Sequence, residues 1–104
     1  MPDAALTSTT ALDKRFANLP VDDDTTIIKQ SPQQLGSYPA CYQKWRWDGV
    51  RGESLILIAE DVAHLSEEEL IHMLHATSLP KPGSTVTYKE NDNGFTFLNF
   101  NFQA

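Results

Sequence analysis

The chain has 104 residues, of which 40% are hydrophobic, and this is enough for one small domain with its own core. The net charge is −6, so the average surface repels phosphate backbones and anionic lipid, which argues against nucleic acid or a membrane as a partner. Cys41 is the only cysteine, which excludes an intrachain disulfide. Residues 1–10 lack a signal-peptide pattern, and no apolar stretch reaches the roughly 18 residues of a membrane span. We expect a cytoplasmic protein.

Residues 1–40 form a weakly specified N-terminal segment that we expect to be partly irregular. Prolines and polar residues recur in it, and apolar residues follow no clear period. Leu12, Phe16 and Leu19 are spaced at i, i+4 and i+7, which predicts a candidate short helix over 11–19.

The next part of this segment carries an acidic run followed by a few β-branched residues. Thr25 to Lys29 is compatible with a short strand. The run Asp22, Asp23 and Asp24 is interpreted as a solvated loop, and a site for a cation or a basic partner is the alternative.

A β-hairpin is predicted at the start of the second part of the chain. Cys41 to Asp48 has the pattern of a strand, Gly49 to Gly52 that of a turn, and Glu53 to Ala59 that of a second strand. The second strand is apolar on both faces, so we expect it at the centre of a sheet.

A helix is predicted to begin at Ser66. Its hydroxyl can accept from the first amides of the helix, and Glu69, three residues later, can complete a capping box. Leu70, Met73 and Leu74 then fall on one side of the helix, which predicts that this side packs on a sheet.

A second hairpin is predicted at the end of the chain. Ser84 to Glu90 alternates polar and apolar residues, Asn91 to Gly94 has turn chemistry, and Phe95 to Phe102 is rich in phenylalanine. The last strand is apolar in both phases, so it is either covered on both faces or bulged near Leu98. We expect it to be central or to form a subunit interface.

Together these elements predict an α+β fold in a small single domain with the order strand-strand-helix-strand-strand. The predicted sheet is antiparallel and four-stranded, with spatial order 1-2-4-3 and one helix packed on a face. The N-terminal segment, or another subunit, would cover the other face. The domain boundaries are 1–40 for the N-terminal segment and 41–104 for the α+β core domain.

The segment from Lys44 to Asp48 is the best candidate contact surface. On a strand, Trp45 and Trp47 share one face and the charged residues share the other. Residues 44–51 have a local charge of +2, which leaves −8 for the remainder of a chain whose net charge is −6. Tryptophan and arginine are enriched at binding hot spots. The predicted contact residues for a partner or ligand are Trp45, Arg46, Trp47, Arg51, His75 and Tyr88. The alternative is that the tryptophans complete the core under the helix while the cations protect a sheet edge.

No catalytic, metal or cofactor site is predicted. Glu68, Glu69, His72 and His75 have helical spacings compatible with a metal, but one helix supplies too few ligands and a solvent-facing Glu68–His72 pair explains them. Cys41 lacks the motif of a nucleophile, and the glycines do not form a phosphate-binding loop.

The first functional hypothesis is a small acidic, non-catalytic protein-interaction module, such as a bacterial accessory protein of inhibitor, immunity or adaptor type. Its unidentified protein partner would be captured electrostatically. The predicted acidic patches are Asp22, Asp23, Asp24, Glu67, Glu68 and Glu69. One alternative is a small-ligand-binding or minor enzymatic domain with an aromatic-lined pocket. Another is a structural homodimer formed by Phe95 to Phe102 or the apolar sheet face.

Overall fold

A computed structural model describes residues 11–91 and 93–103. The predictions for residues 1–10 and for Asp92 in the last turn lie outside these ranges. The described elements are, in chain order, a 3-10 helix (Lys14–Asn18), β1 (Thr25–Leu35), β2 (Tyr38–Trp47), β3 (Val50–Ile58), α1 (Glu67–His75), β4 (Thr87–Glu90) and β5 (Phe95–Gln103).

The strands form one antiparallel sheet in the order β1-β2-β3-β5-β4. The prediction of a four-stranded sheet in the order 1-2-4-3 is therefore wrong: the fold is α+β, with three strands, a helix and then two strands. The missing element is β1, an 11-residue strand where we expected at most a short strand ending at Lys29. Because β1 pairs along all of β2, β2 is an internal strand and not an edge.

The sequence of β1 does not have the pattern of a strand, because most of its side chains are polar and face solvent. Leu35 is its only buried residue, and Pro32 falls in its middle. Proline is tolerated there because β1 is an edge strand, and on its outer side no neighbouring strand requires a backbone N–H donor. An irregularity between Ile27 and Lys29 breaks the register once.

The first hairpin turns at Asp48 and Gly49, not at Gly49 to Gly52 as predicted. Both turn residues have positive φ, +48° and +80°, and Trp47 pairs with Val50 directly beyond them. Two-residue turns of this type match the twist of the strands, and an Asp-Gly pair favours them. The shorter turn places Gly52 inside β3, opposite Trp45.

Helix α1 begins as predicted. Ser66 accepts from the Glu69 amide and Glu69 accepts from the Ser66 amide, so the capping box is confirmed. The hydrogen bond from the Ser66 amide, and after it the Ser66 hydroxyl beside the carboxylate, lower the pKa of Glu69. Leu70 and Leu74 are the buried residues of the helix.

The helix packs on one face of the sheet, called here the helix face. The hydrophobic core on this face comprises Leu35, Ala40, Leu55, Leu57, Val62, Leu70, Leu74, Leu98 and Phe100.

A second, smaller core lies on the opposite face of the sheet. The 3-10 helix covers it, with Phe16 stacked on Phe95 at 5.9 Å between ring centroids. Arg15 anchors this segment to the loop after β3 through two hydrogen bonds of 2.9 Å to Asp61. Within residues 11–91 and 93–103, no helix combines the length and the apolar character that crossing a membrane requires.

The last strand contains a bulge, but at Asn101 and not near Leu98. Asn101 has a positive φ of +55°, and the pairing of β3 with β5 shifts between Arg51 and Glu53. An extra residue reverses the alternation of the strand. Phe102 therefore leaves the helix face and lies beside Trp45, with 5.7 Å between ring centroids.

Candidate functional site

The sheet face opposite the helix, called here the tryptophan face, is covered at one end only. The 3-10 helix covers the end that carries Cys41 and Ile56. Toward the Asp48–Gly49 turn the face opens into a groove of about 500 Å³. The groove is lined by Pro20, Val21, Asp22, Thr25, Ile27, Gln43, Trp45, Trp47, Ser54, Lys89, Asn91, Asn93, Phe97 and Asn99. We call this the tryptophan groove.

Trp45 forms part of the floor of the groove, and Gly52 creates the space for it. A Cβ atom at Gly52 would lie 2.6 Å from Trp45 Cη2 and 2.8 Å from Phe102 Cδ1, closer than real Cβ contacts. The indole and the Phe102 ring therefore occupy the volume that any other side chain would take at this position. Aromatic side chains commonly cover a glycine in a neighbouring strand in this way.

A chain of hydrogen bonds fixes the orientation of the Trp45 indole. Trp45 Nε1 donates to Ser54 Oγ over 2.8 Å, and Ser54 Oγ donates to Asn99 Oδ1. Ser54 is only 3% exposed, so this network is buried beneath the groove. A buried indole N–H and hydroxyl that are both satisfied hold one geometry, because breaking the chain leaves unpaired polar groups.

Three large apolar side chains that line or adjoin the groove remain exposed. Val21 is 53% exposed, Trp47 is 46% exposed and Phe102 is 49% exposed. Val21 and Trp47 line the groove, and Phe102 packs against Trp45. Exposed apolar groups of this size are concentrated at contact surfaces in soluble proteins.

Half of the polar residues that line the groove are amides, and its two charged residues lie on opposite sides of the sheet. They are Gln43, Asn91, Asn93 and Asn99. Gln43 Nε2 donates to Gln30, and Oδ1 of Asn91 and of Asn99 accepts hydrogen bonds within the protein, so these amides face the groove chiefly as donors. Lys89 lies on the β4 side, whereas Asp22 precedes β1 on the other side of the sheet. Aromatic area with dispersed amides can hold an extended polypeptide or a small polar molecule.

The tryptophans do not complete the core under the helix. They lie in the open groove on the opposite face, so that alternative is wrong. The physical reason is the register of β2, in which Ala40 and Tyr42 point toward the helix while Trp45 and Trp47 alternate out of phase with them.

The structure separates the predicted contact residues into different surfaces. Arg46 and Arg51 form a cross-strand pair on the helix face, behind the two tryptophans. Tyr88 packs against the core under the helix, and His75 is exposed at the end of α1. Only Trp45 and Trp47 of the predicted set line the tryptophan groove.

The two predicted acidic patches lie at opposite ends of the sheet. The run Asp22–Asp24 precedes β1, where Thr25 pairs with Trp47. The patch Glu67–Glu69 follows His64, whose Nε2 is 2.8 Å from the hydroxyl of Tyr38 at the start of β2. Ten residues of β2 separate these ends, about 30 Å at 3.3 Å per residue. One small contact surface cannot include both patches.

Cys41 is a core residue and not a surface nucleophile. It is 0% exposed, and burial raises the pKa of its thiol to about 11. The thiol therefore stays protonated near neutral pH. Among the residues that the structure describes, no three His, Cys, Asp or Glu side chains come together as a metal site.

Several groove residues were not identified from the sequence. The sequence-based prediction places Gly52 in a turn, whereas Ser54, Phe97 and Asn99 belong to β3 and β5, whose register against each other the sequence does not give. The available signal is Ser54, a polar residue directly before the apolar run of a strand that is predicted to be central, because a serine buried at such a position needs a hydrogen-bond partner. Comparison of the chain with protein-family models, with curated proteins and with solved structures finds no match.

Proposed function

We propose that the protein is a small, non-catalytic protein-interaction module that binds a segment of a partner protein in the tryptophan groove. The observation that carries this proposal is the exposure of Trp47, at 46%, beside the fixed Trp45 indole. Tryptophans that are held in one orientation at a surface lose little conformational entropy on binding and bury a large area.

The groove favours a polypeptide segment as its occupant. It is open and crosses the sheet, its aromatic floor suits apolar side chains, and its amides can pair with backbone groups. Asp22 lines the groove, and Asp23 and Asp24 are exposed beside it. We therefore expect a partner segment that combines apolar residues with at least one lysine or arginine.

Nucleic acid suits this site less well. Single-stranded nucleic acid is held by aromatic side chains with cations beside them. Here the cations of β2, Lys44 and Arg46, lie on the face opposite Trp45 and Trp47. The acidic run Asp22–Asp24 also repels phosphate. A cytoplasmic setting, consistent with the free thiol of Cys41, belongs to the same proposal.

The test is partner capture from the native extract with three forms of the protein. Wild type is compared with Trp47→Ala and with a control, Ile28→Ala, which removes an apolar side chain of similar exposure that does not line the groove. We expect a partner that wild type and Ile28→Ala retain and that Trp47→Ala loses. Cross-linking of the retained partner to groove residues identifies the site. A partner that all three forms retain equally contradicts the proposal.

A second candidate function is the binding of a small polar ligand. A groove of about 500 Å³ has the size of common ligand sites, and the buried Ser54–Asn99 network can orient a ligand. A metabolite screen that follows tryptophan emission distinguishes the two, since a saturable change with a small molecule favours the ligand. A structural homodimer through this same face would instead make the emission depend on protein concentration.

A further inference from the structure

The helix face carries a compact basic cluster at the Asp48 end of the sheet, where α1 does not cover it. The cluster consists of Lys29, Lys44, Arg46 and Arg51, which are all exposed. In the register of the sheet Lys29 lies opposite Lys44, and Arg46 lies opposite Arg51. Directly opposed residues of antiparallel strands point to the same side, with Cβ atoms about 5 Å apart. The four cations therefore share one surface.

This cluster is unusual in a protein with an excess of acidic residues. The chain has eight lysines and arginines, and half of them are in this cluster, so the rest of a chain of net charge −6 carries −10. Two like-charge pairs directly across strands are destabilising. Among the described residues, none of these four cations has a carboxylate within ion-pair distance, whereas Arg15 has two.

The carboxylate of Glu53, which lies next to the cluster on this face, accepts hydrogen bonds from two neutral side chains. Glu53 is the cross-strand partner of Lys44. Its Oε1 accepts from the Tyr42 hydroxyl over 2.6 Å, and its Oε2 accepts from Asn101 Nδ2 over 3.0 Å. The pKa of Tyr42 is raised by burial and by this carboxylate. Glu53 is thus held by two neutral donors and makes no ion pair with Lys44. Its one negative charge against the four cations leaves a local charge of +3 on this surface.

We propose that the basic cluster is a second docking surface and that it binds a short acidic peptide segment of a partner protein. The opposed cations form two adjacent rows of the sheet, so a segment lying across β1, β2 and β3 could neutralise all four with few carboxylates. A long polyanion is a poorer fit, because it would extend onto a body with charge −10. The tryptophans lie behind the sheet and cannot stack on bases bound here.

This surface does not depend on the tryptophan groove, since the two lie on opposite faces of the same strands. With both occupied, the protein would bridge an apolar, basic segment on one face and an acidic segment on the other. That arrangement is what an adaptor requires.

The test is an NMR titration of the isotopically labelled full chain with a synthetic hexaglutamate peptide at about 20 mM and about 200 mM salt. We expect saturable shifts of amides in residues 26–30, 43–47 and 50–53 that weaken at the higher salt. The variant Arg46→Gln/Arg51→Gln should bind at least about fivefold more weakly, since two exposed ion pairs are lost. The control Lys14→Gln/Lys81→Gln removes the same charge outside the cluster and should bind as wild type does.

Thermal unfolding separates a docking role from a structural one. Removing a repulsive pair should leave the melting temperature of Arg46→Gln/Arg51→Gln equal to or above that of wild type. If that variant does not fold, Lys29→Gln/Lys44→Gln removes the other pair and should weaken binding equally.

Three results would overturn the assignment. They are an absence of saturable shifts at about 20 mM salt, equal binding by cluster and control variants, and tighter binding of a hexathymidylate oligonucleotide through the same amides. The last would replace the acidic peptide by a nucleic acid.

Discussion

A single missing side chain, at Gly52, determines where Trp45 lies. The indole occupies the space over β3 that a Cβ would need, and the Ser54 hydroxyl holds its N–H. We expect Gly52→Ala to destabilise the fold by about 1–3 kcal/mol, as overpacking does, and to shift the tryptophan emission. Urea unfolding followed by fluorescence measures both. Arg51→Ala, at the exposed neighbouring position, is the control. Unchanged stability and emission in Gly52→Ala would show that the indole lies elsewhere.

Cys41 gives the fold a sensitivity to alkaline pH. Its thiol pKa is raised by burial from 9.0 to about 11, so the folded protein keeps a proton that the unfolded chain releases. The corresponding stability is fully present below pH 9 and is lost as the pH rises toward 11. We expect wild type to lose more stability than Cys41→Ala between about pH 8 and pH 10.5, measured by urea unfolding.

The comparison of these pH slopes is specific for the thiol. Tyr42 also has a raised pKa, but it is present in both proteins and cancels. As a second readout, a thiol reagent at about pH 8 should react with Cys41 much faster in urea than in the folded protein. Equal pH slopes in wild type and Cys41→Ala, with rapid labelling of the folded protein, would contradict the burial of Cys41.

At the residue scale the sequence predicted which side chains of a strand share a face, but not which face of the strand packs against the helix. The separation of Trp45 and Trp47 from Arg46 follows from strand geometry alone. Whether the tryptophans face the helix depends on which face of β2 the helix covers, and the helix is distant from β2 in the sequence. The residues of β2 that pack under the helix include Ala40 and Tyr42. Because one is small and the other amphipathic, they give no strong hydrophobic pattern in the sequence.

At the level of elements, helix α1 shows how much a local signal can determine. Ser66 and Glu69 form the capping box that their spacing predicts. We expect Ser66→Ala to cost about 1 kcal/mol, because the amide of Glu69 loses its acceptor. Ser78→Ala makes the same chemical change in an exposed loop and should cost much less. Thermal unfolding measures both, and equal melting temperatures would show that the capping box does not stabilise the protein.

Strand β1 shows what a local signal cannot determine. Its sequence is polar with a central Pro32, and it is a strand only because β2 offers an unpaired ladder beside it. The local sequence also does not determine the position of the first hairpin turn, because Gly49 and Gly52 both suit a turn. Pairing with β5 and the packing of Trp45 on Gly52 decide between them.

At the scale of the whole molecule, charge and apolar surface are segregated by face. The Asp48 end of the sheet carries exposed aromatic groups on one face and four exposed cations on the other. In the sequence, Lys44, Arg46 and Arg51 are close together in an acidic chain, and the pairing of β1 with β2 brings Lys29 beside them. The two acidic patches, Asp22–Asp24 and Glu67–Glu69, each have three consecutive carboxylates in the sequence, but they lie at different ends of the sheet.

The central claim is that the tryptophan face is open in the free protein and available to a partner. The most direct test is acrylamide quenching of Trp47 in a Trp45→Phe variant, which leaves one indole to report. With Trp47 at 46% exposure, we predict efficient quenching, about half as strong as in the urea-unfolded chain and independent of protein concentration. Weak quenching at all concentrations, or quenching that falls as the concentration rises, would contradict the claim, because the face would then be covered within the chain or by a second copy.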